Sequence, residues 1–225
     1  MNWFWRLRAA GVAAGLVVFA ASSIRAEVKV AVEHNDNDKA TADFKFKDIP
    51  AASKDDAATS AKFSIVDGER DPNGGDLDKL NDGKLPSEED QPDENFFFNA
   101  GTEGGRIGVD LGKVIALKQV NTYSWHPNTR GPQVYKLYAS DGAAADFKAD
   151  PKAGADPEKC GWKLITTVDT RPKEGTGGGQ YGVSVSDSDG PLGKYRYLLF
   201  DTSRTEADDQ FGNTFYSEID VVEQK

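Results

Sequence analysis

The sequence predicts an all-β fold, an antiparallel β-sandwich of the jelly-roll kind with long surface loops, and three observations carry that prediction. Short apolar runs in strand-like alternation recur along the chain, separated by clusters of Gly, Pro, Asn and Asp. Apolar spacing at the helical period of 3.6 residues is nearly absent. The 225 residues include 23 glycines and 10 prolines, a turn-rich composition suited to many short antiparallel strands.

The elements follow in order. Residues 1–26 read as a secretory signal: Arg6 and Arg8 give a basic start, residues 9–21 (AAGVAAGLVVFAA) are apolar, and the segment ends in the small Ala26, after which cleavage is expected. The apolar run is shorter than the ~20 residues of a bilayer-spanning helix. No cysteine follows it, which argues against a lipoprotein anchor, so a secreted or periplasmic location is expected. Val28, Val30 and Val32 alternate as a strand, residues 44–46 form a short alternation, residues 48–60 read as a loop with one helical turn, and Phe63, Ile65 and Val66 as a strand. Further strands are expected at 95–98, 106–110, 116–123, 133–139, 162–168, 180–185, 194–201 and 214–222. Residues 141–161 and 171–179 are turn-rich surface loops. No stretch has the length or bias of an interdomain linker, so residues 61–225 form one domain, with 27–60 an extension packing on it. Val109, Leu111, Tyr135, Leu137, Trp162, Leu164, Tyr197 and Leu199 occupy alternating positions and are the expected core. Phe96, Phe97 and Phe98 cannot all face one way, so one of them is expected at the surface or beneath the N-terminal segment.

Charge narrows the partners. The chain carries 27 basic and 37 acidic residues, a net charge of −10. Loss of residues 1–26 removes three arginines and no acid, leaving −13. With no basic stripe to offset it, that surface repels nucleic acid and anionic membranes. Cys160 is the only cysteine, so no intrachain disulfide forms. His34 and His126 are the only histidines, too few for a multi-histidine metal centre, and carboxylate pairs arise by chance among so many acids. The chain does not read as an enzyme.

The motifs, taken in sequence, resemble a known family. Leu80-Asn81-Asp82-Gly83, Gly108-Val109-Asp110-Leu111-Gly112 and the run from Val134 to Gly142 (VYKLYASDG) come first. Gly161-Trp162-Lys163-Leu164, Tyr195-Arg196-Tyr197-Leu198-Leu199-Phe200 and Ser217-Glu218-Ile219-Asp220-Val221 follow. Each is common alone; six in this order resemble the discoidin family, also called coagulation factor 5/8 type C, over roughly residues 61–222. The resemblance implies a galactose-binding-like jelly roll, a buried structural Ca²⁺, ligand binding by loops at one end, and no catalysis. The chain departs from the family after the Asp-Gly turn, where the usual tryptophan gives way to an acidic loop (87–94) and Phe96-Phe97-Phe98. Residues 27–60 have no counterpart.

Two sets of site residues follow from the resemblance. Asp82, Ser87 and Glu218 would supply side-chain oxygens to Ca²⁺, with carbonyls near Leu80 and Lys84, a donor set suited to a hard cation that accepts irregular geometry. Trp125, His126, Asn128 and Arg130, in a loop expected to span 123–132, combine an aromatic ring with planar donors and acceptors, as sugar recognition requires. Phe211 and Asn213, ahead of the last strand, join them on the same rim. Trp125 as a packing residue is the competing reading. The expected function is a non-catalytic carbohydrate-binding module whose partner is a glycan or glycoconjugate. The alternative is an adhesion or protein-interaction domain of the same fold, binding envelope or extracellular proteins.

Overall fold

The computed structural model describes residue 1, residues 27–206 and residues 211–225; the expected signal, 1–26, lies outside the described residues except for its first position. The strands are β1 (Val28–Asp36), β2 (Lys62–Asp67), β3 (Gly104–His126), β4 (Val134–Ser140), β5 (Lys163–Asp169), β6 (Gly179–Asp187), β7 (Gly193–Ser203) and β8 (Tyr216–Glu223). All named pairings are antiparallel. Among the described residues no helix is long and apolar enough to cross a membrane.

The long β3 makes the sandwich. Its first part pairs with β2, to Asp110, and with β7, to Leu117; its last part pairs with β8 from Leu117 and with β6 from Gln119. Within the β7 pairing the register slips: Asp110 faces Tyr197 and Ile115 faces Tyr195, so residues 111–114 bulge outward. Gly112, at a φ of 75°, turns that bulge. The chain thus descends one layer (β2–β3–β7–β4–β5), crosses at the lower pole, and climbs the other (β1–β6–β3–β8). The two segments expected at 106–110 and 116–123 are one strand. Residues 44–46 and 48–60 have neither strand nor helix, and 95–98 contribute only isolated bridges, Phe96 to Tyr216 and Phe98 to Arg70.

Alternation along the strands decides what the layers enclose. Ile107, Val109, Leu137, Leu198 and Phe200 from one layer meet Val120, Val183, Ile219 and Val221 from the other. Tyr135 crosses the interface, its hydroxyl 3.1 Å from the Thr122 hydroxyl. A second cluster lies outside the first layer: Tyr138, Cys160, Trp162 and Leu199, with Phe147, Leu164 and Tyr197 packed on it. Hence Trp162 and Leu199 are core residues of this outer cluster, and Leu164 and Tyr197 are half-buried against it; none of the four belongs to the sandwich interior. Runs such as Tyr195–Phe200 are nearly continuous in apolar residues because both faces of that layer are covered. None of Phe96, Phe97 and Phe98 is at the surface. Phe96 and Phe98 pack edge to face, while Phe97 stacks on Phe215 with centroids 4.0 Å apart.

Residues 27–60 are integral to the sandwich. β1 is an edge strand beside β6, and the following segment doubles back over the outer face of the second layer. Glu33 holds it there, its carboxylate accepting the amides of Lys47, Asp48 and Ile49. Farther on, the Tyr123 hydroxyl donates to the Pro50 carbonyl at 2.6 Å and Ala57 N donates to the Val221 carbonyl at 2.8 Å.

Candidate functional site

Two places concentrate polar chemistry, and β8 reaches both. Ile219 and Val221 face the core, so Glu218 and Asp220, one step off in the alternation, lie on the outer face beneath the N-terminal segment. Glu218 is fully buried. Its Oε2 accepts the Gly83 amide at 3.0 Å, whereas Oε1 is buried with no hydrogen-bond partner. The turn 82–83 and the last strand, far apart in sequence, therefore meet. Burial is the main cause that pushes the Glu218 carboxyl up to about 9; Asp220, Asp82 and Asp56 add to it, and the Gly83 amide opposes it. Asp220 is raised as well, by burial first and then by Asp56. Its oxygens accept from Ser53 N at 3.3 Å and from the Tyr123 hydroxyl at 3.2 Å. Asn121, opposite Asp220 in register, keeps a buried Nδ2 without a partner.

The residues expected around a cation divide. Asp82 lies within electrostatic reach of Glu218, and its Oδ1 accepts the Lys84 amide at 2.9 Å. Leu80 is fully buried in the main cluster. Ser87 turns elsewhere, its amide and hydroxyl both donating to Gln91 Oε1, at 2.7 and 3.2 Å. Among the described residues no three His, Cys, Asp or Glu side chains stand as a metal-binding group. Glu218 Oε1 nonetheless stays without a partner while Asp220, Asp82 and Asp56 act on it electrostatically, and oxygens of this kind are what a hard cation takes. Asp220 and Asp56 were not anticipated. Asp220 was legible two residues beyond Glu218 on a strand; Asp56 had no periodic signal.

The second place is the upper pole, where β3 ends, β6 begins and β8 starts. β3 continues to His126, so the connecting loop begins at 127 rather than 123. Trp125 and His126 consequently face opposite ways. Trp125 is 5 % exposed and lies under the N-terminal segment, its Nε1 donating to Asn37 Oδ1 at 3.3 Å. Phe44, Phe46 and Leu85 line the narrow apolar cleft beside it. His126, also buried, accepts the Asn128 amide on Nδ1 at 3.0 Å and meets Phe215 edge to face. Asn213 is buried, donating Nδ2 to the Asn99 carbonyl at 3.0 Å.

At the surface of this pole are Asn128, Arg130 and Phe211. The Arg130 guanidinium carbon is 4.2 Å from the Phe215 centroid, 5.6 Å from Phe97 and 5.7 Å from Phe211. Such contacts help to hold a guanidinium in place. The Phe215 amide donates to the Arg130 carbonyl at 3.0 Å, tying the rim loop to the lead-in of β8. Phe211 remains 46 % exposed, one of few large apolar side chains left open to solvent among the described residues. The arrangement offers a ring face beside a fixed cationic donor and an exposed amide.

No protein-family model matches the chain, and no curated protein matches it in sequence. Solved structures do resemble it. CpGH89CBM32-6 of Clostridium perfringens is 15 % identical with a TM-score of 0.43, over 76 % of this chain and 100 % of that one. The family 32 carbohydrate-binding module of C. perfringens NanJ, in complex with galactose, is 10 % identical with a TM-score of 0.46, over 73 % and 95 %. A GH29 fucosidase of Ruminococcus gnavus, in complex with fucose, is 16 % identical with a TM-score of 0.45, over 78 % of this chain and 28 % of that one. The family 32 modules are galactose-binding-like, discoidin-type domains. At these identities and scores the likeness carries no assignment of ligand or site residues to this chain.

Proposed function

We propose that this chain is an exported, non-catalytic carbohydrate-binding module that recognises a glycan at its upper rim and uses Ca²⁺ to secure its fold. The observation that carries the reading is the exposed ring of Phe211 with the Arg130 guanidinium 5.7 Å from its centroid. A sugar's C–H face lies against such a ring while its hydroxyls accept from the guanidinium and exchange hydrogen bonds with Asn128. A single exposed rim of this size supports weak binding, strengthened where several copies or domains act together. The test is a glycan array or affinity gel: wild type binds, and Phe211→Ala and Arg130→Ala do not. Wild-type binding by both variants would refute the rim.

Calcium is the second part of the proposal. Glu218 and Asp82 would supply side-chain oxygens, joined by Asp220 or Asp56 where the layer permits. The ion's charge offsets the Glu218 and Asp220 carboxyls, which burial otherwise favours in the protonated form. A protein-interaction domain is the competing reading, favoured by the exposed acids at 88–90. Binding to a basic protein that weakens steeply with salt, without glycan binding, would select it.

A further inference from the structure

The largest concavity among the cavities described is at the opposite pole from the rim. A groove of about 920 Å³ opens where β3 crosses between layers and where β6 and β8 end. Strand β6 runs from one pole to the other, Gly179 to Asp187, which separates the two places by ~25 Å at about 3.3 Å per residue. Leu111, Ile115 and Val222 give the groove an apolar wall. Ser186, Asp187, Ser188 and Gln119 give it hydrogen-bonding groups.

Asp187 is the informative residue. Its Oδ1 accepts the Asp189 amide at 2.8 Å, but its Oδ2 is buried and has no hydrogen-bond partner. A buried acceptor in a cavity wall calls for a donor that the chain does not provide. The groove's charges limit what that donor belongs to. Asp55, Asp56, Asp187 and Glu223 line it together with Lys113, Lys118 and Lys225, and Lys113 is paired with Glu223 at 3.2 Å. An anionic ligand meets the acids, and a cationic one meets the lysines. Hydroxyl groups both donate and accept, so a neutral polyhydroxylated molecule serves Asp187 and the Lys118 and Lys225 ammoniums at once, with no like-charge contact.

We infer that the lower-pole groove is a second ligand site, taking a segment of a neutral saccharide with Asp187 Oδ2 accepting from a hydroxyl. It does not depend on the rim. A molecule with both sites bridges two glycan segments and gains avidity that neither site has alone.

The test is a ¹⁵N–¹H titration of the purified protein with cellobiose, lactose and maltotriose, with free lysine as the charged probe. At least one sugar shifts the amides of Ser186, Ser188 and Gln119, and does so equally in Phe211→Ala, which removes only the rim. Asp187→Ala weakens that response about tenfold, the size expected for losing one hydrogen bond to a charged group. Should Asp187→Ala disturb the end of β6, Ser188→Trp fills the groove from an exposed turn position and abolishes the response. Groove amides that stay silent with every sugar, or move with lysine alone, overturn the inference. A response in the groove that survives Ser188→Trp does so too.

Discussion

The rim and the acidic layer are built from similar materials and put to opposite use. At the rim, Phe97 and Phe215 are buried so that Arg130 is held in place and Phe211 is left at the surface. Beneath the N-terminal segment, carboxylates are buried instead, and one Glu218 oxygen is given no partner. Burying apolar rings stabilises the chain; burying carboxylates costs free energy unless a proton or a cation neutralises them. On the proposed function, the rim can therefore lose the exposed Phe211 and cost mainly binding. The acidic layer responds through the stability of the fold.

The largest effect concerns which region owns Trp125. Its indole is packed against the outer face of the second layer, so Trp125→Ala is expected to destabilise the fold by about 3–5 kcal/mol, as for other buried aromatics. Thermal denaturation measures this. A variant that melts like wild type but fails to bind glycan would return Trp125 to the rim. Calcium comes next. At a hundredfold excess over its dissociation constant a ligand stabilises by about 2.7 kcal/mol, or roughly 5–10 °C for a domain of this size. EDTA should lower the melting temperature by that amount and Ca²⁺ restore it. Indifference to chelator would leave Glu218 protonated rather than bound to calcium.

The pH dependence separates those two cases further. Glu218 keeps its proton up to about 9 in the fold, against an ordinary value of 4.5. Between these values the unfolded chain releases a proton that the folded chain retains. In EDTA, stability should therefore be highest at acid pH and decline as pH rises across that window. Calcium competes with the proton, so its stabilising effect should grow with pH. Glu218→Gln should flatten the decline and abolish the response to calcium. A wild type whose stability in EDTA rises with pH over this window would contradict the burial of an unpartnered carboxylate. The smallest effect on the fold is expected from Phe211→Ala, whose exposed ring contributes little packing: a melting temperature within about 1 °C of wild type, since surface changes rarely exceed ~0.5 kcal/mol.

Much of this was legible before the structure. Strand alternation and turn residues gave the sandwich, and motif order brought Asp82 and Glu218 to one place although 135 positions separate Gly83 from Glu218. The same alternation, carried to the end of β3, sets Trp125 and His126 on opposite faces; that was missed because the loop was started four residues early. Asp220 follows from Glu218 by strand parity. The path of residues 40–57 does not follow from any local pattern. It is fixed by amides donated to Glu33 and Asp220, contacts between distant segments that no periodicity encodes. Ser87 turned to Gln91 for a similar reason: a nearby amide oxygen accepts both its donors.

The most direct test is retention of wild type and Phe211→Ala on a glycan affinity gel, with melting curves recorded for both. The account predicts that wild type is retarded, that the variant runs free, and that the two melt together. Equal retardation of both proteins, at equal stability, would contradict it.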